Sequence, residues 1–263
     1  MSMTKYQTLL YKVENSILYI TLNRPEKRNA LNEIMVKELT GIFLNFKEKD
    51  DILAVVVRGA GKAFCAGADL SYLYALIDKS YEENLKDSFN LKDMYWTIYT
   101  YPKPTVVLIN GSALGGGCGL TTVFDIAIAS KNATFGYPEV KIGFVASIVA
   151  VFLIELLGIR QAKKMLISGE IIDAFEAEKR GLIQAVVSDN ELEIVSNEIC
   201  SNLRKNSPLA TRQTKKLLND YRDTLLEEKL IQGCRINANF RQTRDFKEGL
   251  QSFLEKRSPH WGK

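Results

Sequence analysis

The stretch that decides the fold is Gly111-Ser112-Ala113-Leu114-Gly115-Gly116-Gly117-Cys118-Gly119-Leu120, which follows the strand-like run Thr105–Ile109. Consecutive glycines between a predicted strand and a helix-compatible segment let a ligand approach the bare backbone. Amide N–H groups at a helix N-terminus can then stabilise a developing negative charge. Further along the chain, Glu139 lies among aromatic and apolar residues in Tyr137-Pro138-Glu139-Val140. Such a carboxylate is typical of a general acid or base, and the two segments together predict an enzyme.

The composition is that of an ordinary globular chain. It has 263 residues, of which 46% are hydrophobic and 25% charged, with a formal net charge of +4. This weak and scattered excess argues against nucleic acid as a partner. The longest apolar run, Ile148–Leu157, is interrupted by Glu155 and is far shorter than the ~20 residues of a membrane span, so it predicts a buried helix. Residues 1–13 contain charges and no continuous apolar core, so we expect no secretory signal. We therefore expect a cytoplasmic protein with no membrane partner.

The histidine and cysteine content argues against metal and histidine-dependent chemistry. His260 is the only histidine and lies almost at the C-terminus, where a Ser-His-Asp site is not expected. The four cysteines are far apart and form no CxxC pair: Cys65, Cys118, Cys200 and Cys234. We expect neither a bound metal nor a disulfide scaffold.

Strand and helix patterns alternate through residues 1–190, which predicts an α/β core. Residues 5–22 are predicted to form a strand pair turning at Asn15-Ser16. Asn32 is the expected N-cap of the first helix. The other predicted strands are Ile52–Val57, Thr105–Ile109, Asp125–Ala129 and Ile183–Val187, and the predicted helices are Leu31–Phe46 and Asn84–Tyr99.

Residues 191–263 are predicted to form a helical C-terminal section. The predicted helices are Glu191–Asn206, Leu209–Arg222, Leu225–Asn239 and Phe246–Lys256. These helices have apolar stripes that a single core cannot cover on every side, and the stripes include Leu209, Leu217, Leu218 and Leu225. Apolar patches of this kind usually mark subunit contacts, so this section is expected to mediate oligomerisation.

Six segments along the chain carry a family resemblance: Leu22–Asn32, Lys62–Leu70, Asn110–Leu120, Phe135–Val140, Gly181–Ile183 and Phe253–Arg257. In this order they resemble the enoyl-CoA hydratase/isomerase (crotonase) superfamily from end to end. The resemblance implies an α/β fold, a spiral of ββα units with a helical C-terminal trimerisation region, assembled as a homotrimer or hexamer. It also implies an acyl-CoA substrate, with coenzyme A entering only as part of that substrate and no other cofactor.

The resemblance assigns roles to particular positions. Glu139 is the expected catalytic residue, and the N–H groups of Ala68 and Gly116 are the expected oxyanion hole for an enolate. Donors fixed in a dry site each contribute ~2.7–4 kcal/mol to such a step. Lys27 and Arg28 are expected to meet the phosphates of CoA. The remaining residues expected to border the CoA part are Ala30, Ala66, Asp69 and Leu70.

Each of these features also has a purely structural interpretation. The glycines Gly115–Gly117 could serve close helix-to-strand packing, and Asp69 could cap the next helix. Lys27 and Arg28 could be ordinary surface charges. The glycine segment is not a dinucleotide fingerprint, because GxGxxG starting at Gly115 would need glycine where Leu120 stands.

The chain departs from the two-carboxylate hydratases at the position of the first glutamate, which is Gly119. A second departure lies in the loop that follows Glu139, where Val145-Ala146-Ser147 stands in place of the family's Ile-Pro-Gly. The sequence around Gly117 and Pro138 resembles a bacterial branch assigned to methylglutaconyl-CoA hydratases. A substrate of that kind carries a second carboxylate and would need a cation at the far end of the acyl pocket, for which Lys79, Lys86 and Lys141 are candidates by position.

Three functions are compatible with a lone carboxylate. Hydration of a 2-enoyl-CoA, with 3-methylglutaconyl-CoA as one candidate substrate, is the first interpretation, with Glu139 holding water and returning a proton to C2. The alternative is Δ3,Δ2-enoyl-CoA isomerisation, in which one base moves a proton from C2 to C4. A third interpretation is a CoA-binding protein without catalytic activity.

Overall fold

The computed structural model describes residues 4–220 and 223–261, where eleven strands form two sheets surrounded by helices. The strands are β1 Thr4–Lys5, β2 Leu9–Glu14, β3 Ile17–Leu22, β4 Ala54–Gly59, β5 Ala63–Cys65, β6 Thr105–Ile109, β7 Ser112–Leu114, β8 Ile126–Ser130, β9 Thr134–Gly136, β10 Ile171–Asp173 and β11 Ala185–Val187. The helices are α1 Glu33–Lys47, α2 Leu70–Ala75, α3 Tyr81–Tyr99, α4 Gly116–Thr121, α5 Ser147–Ser168, α6 Ala174–Lys179, α7 Leu192–Lys205, α8 Pro208–Asp220, α9 Asp223–Phe240 and α10 Arg244–Leu254.

The larger sheet has seven strands in the order β1-β2-β3-β4-β6-β8-β11. Its first three strands are antiparallel and the remainder are parallel. The turn between β2 and β3 is the predicted one, with Asn15 and Ser16 both at positive φ. The central strands are apolar on both faces, as expected for parallel strands covered on two sides.

The smaller sheet has four strands in the order β10-β9-β7-β5, and β9, β7 and β5 are parallel. Each repeating unit sends one strand to each sheet before its helix: β4 and β5, then β6 and β7, then β8 and β9. The expected α/β spiral of ββα units is therefore confirmed. The small sheet itself has no individual sequence signal, because its strands have three residues each.

Most predicted elements are present with shifted ends. Asn32 caps α1 by accepting a hydrogen bond from Met35 N–H. The predicted strand Ile52–Val57 forms as Ala54–Gly59, because pairing with β3 begins at Ala54 and continues to Gly59. The predicted buried helix Ile148–Leu157 is the first part of a longer α5, which bends at Gly158 with φ 74°. Arg222, the expected end of one helix, lies outside the described residues, as do parts of the two predicted regions 1–190 and 191–263.

The C-terminal helices cover the core unequally. Helix α9 packs against α3 and α5 and buries Leu226, Leu230 and Cys234. Helix α10 packs against the segment that carries Glu139, so closely that a Cβ on Gly143 would lie 2.3 Å from Asp245 O. In contrast, a stripe along α8 and α9 is exposed: Leu209, Leu217, Leu218 and Leu225.

Candidate active site

The candidate site lies where three neighbouring parallel strands of the small sheet end. Strand β5 leads into Ala66-Gly67-Ala68, β7 leads into Gly115 and Gly116, and β9 leads through Tyr137 into Pro138 and Glu139. Ligands of α/β proteins characteristically bind outside the carboxyl ends of parallel strands. Strand order thus brings together three segments that are far apart in the sequence.

The amides of Ala68 and Gly116 are unengaged at this edge. Leu31 N–H donates to Gly67 O at 2.7 Å and Asp69 N–H donates to Leu31 O at 2.8 Å, so Leu31 binds the residues on either side of Ala68. Neither amide donates to any described residue. The two loops are in contact, because a Cβ on Gly67 would lie 3.6 Å from Gly116 N. Both N–H groups are therefore free to donate to a bound ligand.

Gly115 makes room for the carboxylate of Glu139. Its φ of 52° is in a region that favours glycine, and a Cβ there would lie 2.8 Å from Glu139 Oε1. Gly115 N–H donates to Gly136 O at 2.8 Å, which ties the glycine loop to the end of β9. The same glycine therefore shapes this loop and leaves room for the carboxylate next to it.

The Glu139 carboxylate is desolvated. Its Oε2 is buried and has no hydrogen-bond partner among the described residues. Burial disfavours the charged form and raises the pKa of Glu139 to about 7. A carboxyl with a pKa near neutrality can both take up and return a proton in a catalytic cycle.

A cleft of about 690 Å³ opens beside these groups. The residues to which the resemblance assigns a catalytic, oxyanion or CoA-binding role all border it: Lys27, Arg28, Ala30, Ala66, Ala68, Asp69, Leu70, Gly116 and Glu139. Lys27 and Arg28 are exposed, and Ala30 is buried. The sequence-predicted positions are therefore brought to one place.

Asp69 combines its structural role with a place at the cleft. Its side chain accepts hydrogen bonds from Ser71 N–H at 3.0 Å, capping α2, and from Arg24 Nη2 at 2.8 Å. Burial disfavours the charged form of Asp69, but the hydrogen bond and charge of Arg24 outweigh it and lower its pKa. Arg24 also donates to Ala30 O at 2.6 Å, so this ion pair fixes the loop that carries Lys27 and Arg28.

The side chain of Val149, on α5, occupies the space that a residue larger than glycine would need at position 119 of α4. A Cβ on Gly119 would lie 2.1 Å from Val149 Cγ1, and Val149 borders the cleft. The carboxylates that border the cleft among the described residues are Asp69, held by Arg24, and Glu139. The altered Val145-Ala146-Ser147 segment begins α5, where Ser147 Oγ donates to Gly233 O at 2.7 Å.

Sequence reasoning missed several residues of the cleft wall, among them Tyr95, Asn237 and Arg241. Tyr95 is buried and its hydroxyl donates to Gly116 O at 2.8 Å. Asn237 and Arg241 border the cleft near the end of α9. The sequence pattern that could have indicated Asn237 and Arg241 is the apolar stripe of α9. Its buried residues Leu230 and Cys234 are followed, at helical spacing, by these two polar residues.

The three lysines proposed for the far end of the acyl pocket have different surroundings. Lys141 borders the cleft and is exposed. Lys79 is exposed and pairs with Glu83 at 3.0 Å. Lys86 is exposed and is not among the residues that border the cleft.

Neither a metal cluster nor a membrane-spanning segment is found in the described part of the chain. Within residues 4–220 and 223–261, His, Cys, Asp and Glu side chains form no group of three that could hold a metal ion. Over the same ranges, no helix has the length and hydropathy needed to cross a bilayer.

Comparisons with known proteins agree with this geometry. Residues 12–263 match the family model described as Enoyl-CoA hydratase/isomerase. A Thermus thermophilus protein assigned as an enoyl-CoA hydratase is 37% identical over 245 residues, covering 93% of this chain and 97% of its own. The 2,3-dehydroadipyl-CoA hydratase of Escherichia coli is 33% identical over 254 residues, covering 95% of this chain and 97% of its own.

The fold has the same relatives. The crystal structure of an enoyl-CoA hydratase/isomerase from Pseudoalteromonas atlantica superposes with a TM-score of 0.87 at 29% identity, covering 97% of this chain and 100% of that one. The family match extends over nearly the whole chain and includes all three segments of the site. The chain therefore belongs to the enoyl-CoA hydratase/isomerase family of enzymes.

Proposed function

We propose that this enzyme hydrates a 2-enoyl-CoA with Glu139 as its sole acid/base. The observation that carries the proposal is the meeting, at one sheet edge, of two amides that make no hydrogen bond to a described residue with a carboxylate whose Oε2 is buried and has no partner among those residues. The thioester oxygen accepts hydrogen bonds from Ala68 N–H and Gly116 N–H. Glu139 takes a proton from water as the hydroxyl adds to C3, and returns a proton to C2 as the enolate collapses.

The CoA part of the substrate occupies the mouth of the cleft in this proposal. The exposed cations Lys27 and Arg28 meet its phosphates. Ala30, Ala66, Asp69 and Leu70 border its adenine and pantetheine. Coenzyme A enters with the substrate, and the proposed chemistry needs no further cofactor.

A second candidate reaction is Δ3,Δ2-enoyl-CoA isomerisation. It is favoured by the pair Gly119 and Val149, which places an apolar side chain where the family's first glutamate would begin. One base suffices for isomerisation, because Glu139 would remove a proton from C2 and deliver it to C4. Loss of a second carboxylate would weaken water activation more than it would weaken this transfer.

Turnover assays separate the two reactions. Purified enzyme is mixed with crotonyl-CoA, 3-methylglutaconyl-CoA or a 3-enoyl-CoA, and the products are identified by mass and absorbance. Hydration yields a 3-hydroxyacyl-CoA, whereas isomerisation of a 3-enoyl-CoA yields a 2-enoyl-CoA of unchanged mass. Turnover confined to the 3-enoyl substrate would replace the hydratase proposal with the isomerase one.

We further propose a homotrimer or hexamer built through residues 191–263. The support is the exposed leucine stripe of α8 and α9, since a closed ring of identical subunits buries such patches symmetrically. Light scattering at micromolar concentration tests it. A single species near the chain mass of 29.6 kDa would contradict an oligomer. The cytoplasmic location stays a prediction.

A further inference from the structure

The helical wall of the cleft is mainly apolar, and apart from Ser71 and the hydroxyl of Tyr95 its polar side chains are Asn237, near the end of α9, and Arg241, which follows that helix. Leu73, Leu91 and Ile148 are among the apolar side chains that border the cleft beyond the reaction centre. Asn237 and Arg241 border the same cleft and lie one helical turn apart. A pocket for a plain alkyl chain has no need of either polar side chain.

The guanidinium of Arg241 is held in place by α3. Its Nη1 donates to Asp87 Oδ2 at 2.7 Å and lies 3.3 Å from Asn84 Oδ1, and the Tyr72 hydroxyl donates to the other oxygen of Asp87. Arg241 is only 2% exposed. Its Nε is buried and has no hydrogen-bond partner among the described residues. A buried donor without an acceptor is destabilising and rare, so it calls for an explanation.

Asn237 also has unused hydrogen-bonding capacity. Its side-chain amide lies 3.1 Å from Ser88 Oγ, which is itself 3.0 Å from Asn84 O. A hydroxyl has one hydrogen, so the amide either accepts from Ser88 or donates to it. In either orientation, the other polar atom of this amide makes no hydrogen bond to a described residue.

We propose that the acyl group of the substrate ends in a carboxylate, which is bound by Arg241 and Asn237. This inference rests on the proposed function and names its substrate class. Asp87 engages Nη1 alone, which leaves the Nε side of the guanidinium fork for a second carboxylate. A terminal carboxylate would supply the acceptor that Nε lacks, whereas a terminal methyl would leave that donor unpaired.

The competing explanation is that Arg241 and Asp87 only join α9 to α3. The two explanations differ in substrate preference. An ion pair that acts only on structure affects all acyl groups alike, whereas a binding group discriminates between carboxylate and methyl ends.

The test compares matched enoyl-CoAs of four, six and eight carbons that end in methyl or carboxylate. At the best chain length we expect kcat/KM to favour the carboxylate by ~10- to 100-fold, the range of one or two charge-assisted hydrogen bonds. The double variant Arg241→Gln/Asp87→Asn removes the guanidinium without leaving an unpaired carboxylate. It should reduce that preference at least ~10-fold. Asn237→Leu, which leaves the ion pair intact, should reduce it less.

The matched control is Lys215→Gln/Asp125→Asn, which removes another ion pair, of 2.7 Å and with a buried lysine, away from the cleft. It should leave the carboxylate preference unchanged. Equal kcat/KM for both ends in the wild-type enzyme, or a proportional loss for both in the Arg241 variant, would overturn the inference.

Calorimetry with saturated acyl-CoAs separates this inference from the proposed function. These ligands cannot react, so a tighter Kd for the carboxylate-ended compound supports the site even if neither enoyl-CoA is hydrated. Equal Kd values at every chain length would refute the site even if hydration is observed. The wild-type measurement decides the question if the variants fail to fold.

Discussion

The two halves of the cleft are built differently. The reaction half consists of loop backbone and one carboxylate at the ends of β5, β7 and β9. The acyl half consists of side chains from α2, α3, α5 and α9 and of Arg241, which follows α9, and these meet only through tertiary packing. The first half is encoded in short local motifs, whereas the second depends on long-range contacts. We expect substitutions in the reaction half to change rate and those in the acyl half to change substrate choice.

The largest expected effect is on Glu139. Glu139→Gln preserves shape but removes proton transfer, so kcat should fall by at least ~100-fold, the usual contribution of general acid–base catalysis. The control is Glu198→Gln on the exposed face of α7, which should have normal activity. Steady-state kinetics with CoA-binding measurements check this. Near-normal turnover of the Gln variant would remove Glu139 from the mechanism.

Gly115→Ala tests whether the glycine loop seats the carboxylate. The added Cβ would lie 2.8 Å from Glu139 Oε1 and the backbone would be strained at φ 52°, so we expect kcat to fall ~10- to 100-fold through misplacement. Gly158→Ala is the matched control, because Gly158 also has a positive φ (74°) but a Cβ there contacts nothing within 4 Å. It should lose stability and keep its kcat. Equal kcat losses in both variants would attribute the effect to backbone strain alone.

This difference between the two halves of the cleft explains which of their residues could be predicted from the sequence. Ala68, Gly116 and Glu139 each lie in a local motif, so their joint place at the cleft could be predicted. The small sheet that brings them together could not be read from periodicity, because strands such as Ser112–Leu114 are too short to show it. Arg241 was missed because its partner Asp87 lies on α3, and nothing in the local pattern joins those helices.

The raised pKa of Glu139 gives a signed prediction for stability. The folded protein keeps this proton up to pH about 7, whereas an unperturbed glutamate carboxyl has a pKa of 4.5. Folding stability therefore decreases as pH rises through that range, by up to ~3 kcal/mol for a shift of this size. Glu139→Gln lacks this penalty, so its stability relative to wild type should be greater at pH 8 than at pH 5. Urea unfolding at both pH values measures this. A pH-independent difference would show that the carboxyl is not desolvated.

The close approach of Val149 to Gly119 predicts coupling between these two positions. Gly119→Ala should destabilise the protein by ~1–3 kcal/mol, because its Cβ would lie 2.1 Å from Val149 Cγ1. Val149→Ala removes that methyl group and should recover part of the loss when the two are combined. A double-mutant cycle of unfolding free energies measures the coupling. Additive effects would mean that Val149 does not define the space at position 119.

The smallest effect is expected at Tyr95, which connects the two halves of the cleft. Tyr95 belongs to α3 in the acyl half, yet its hydroxyl donates at 2.8 Å to Gly116 O in the reaction half. Tyr95→Phe removes this bond while the ring remains packed, so we expect a loss of ~0.5–1.5 kcal/mol, the net value of one neutral hydrogen bond. If the bond positions the Gly116 loop, kcat falls by several-fold while the preference among acyl groups is unchanged. A changed acyl preference with normal kcat would contradict this, since it would place Tyr95 functionally with the acyl pocket and make the two halves less separate than the strand and helix architecture suggests.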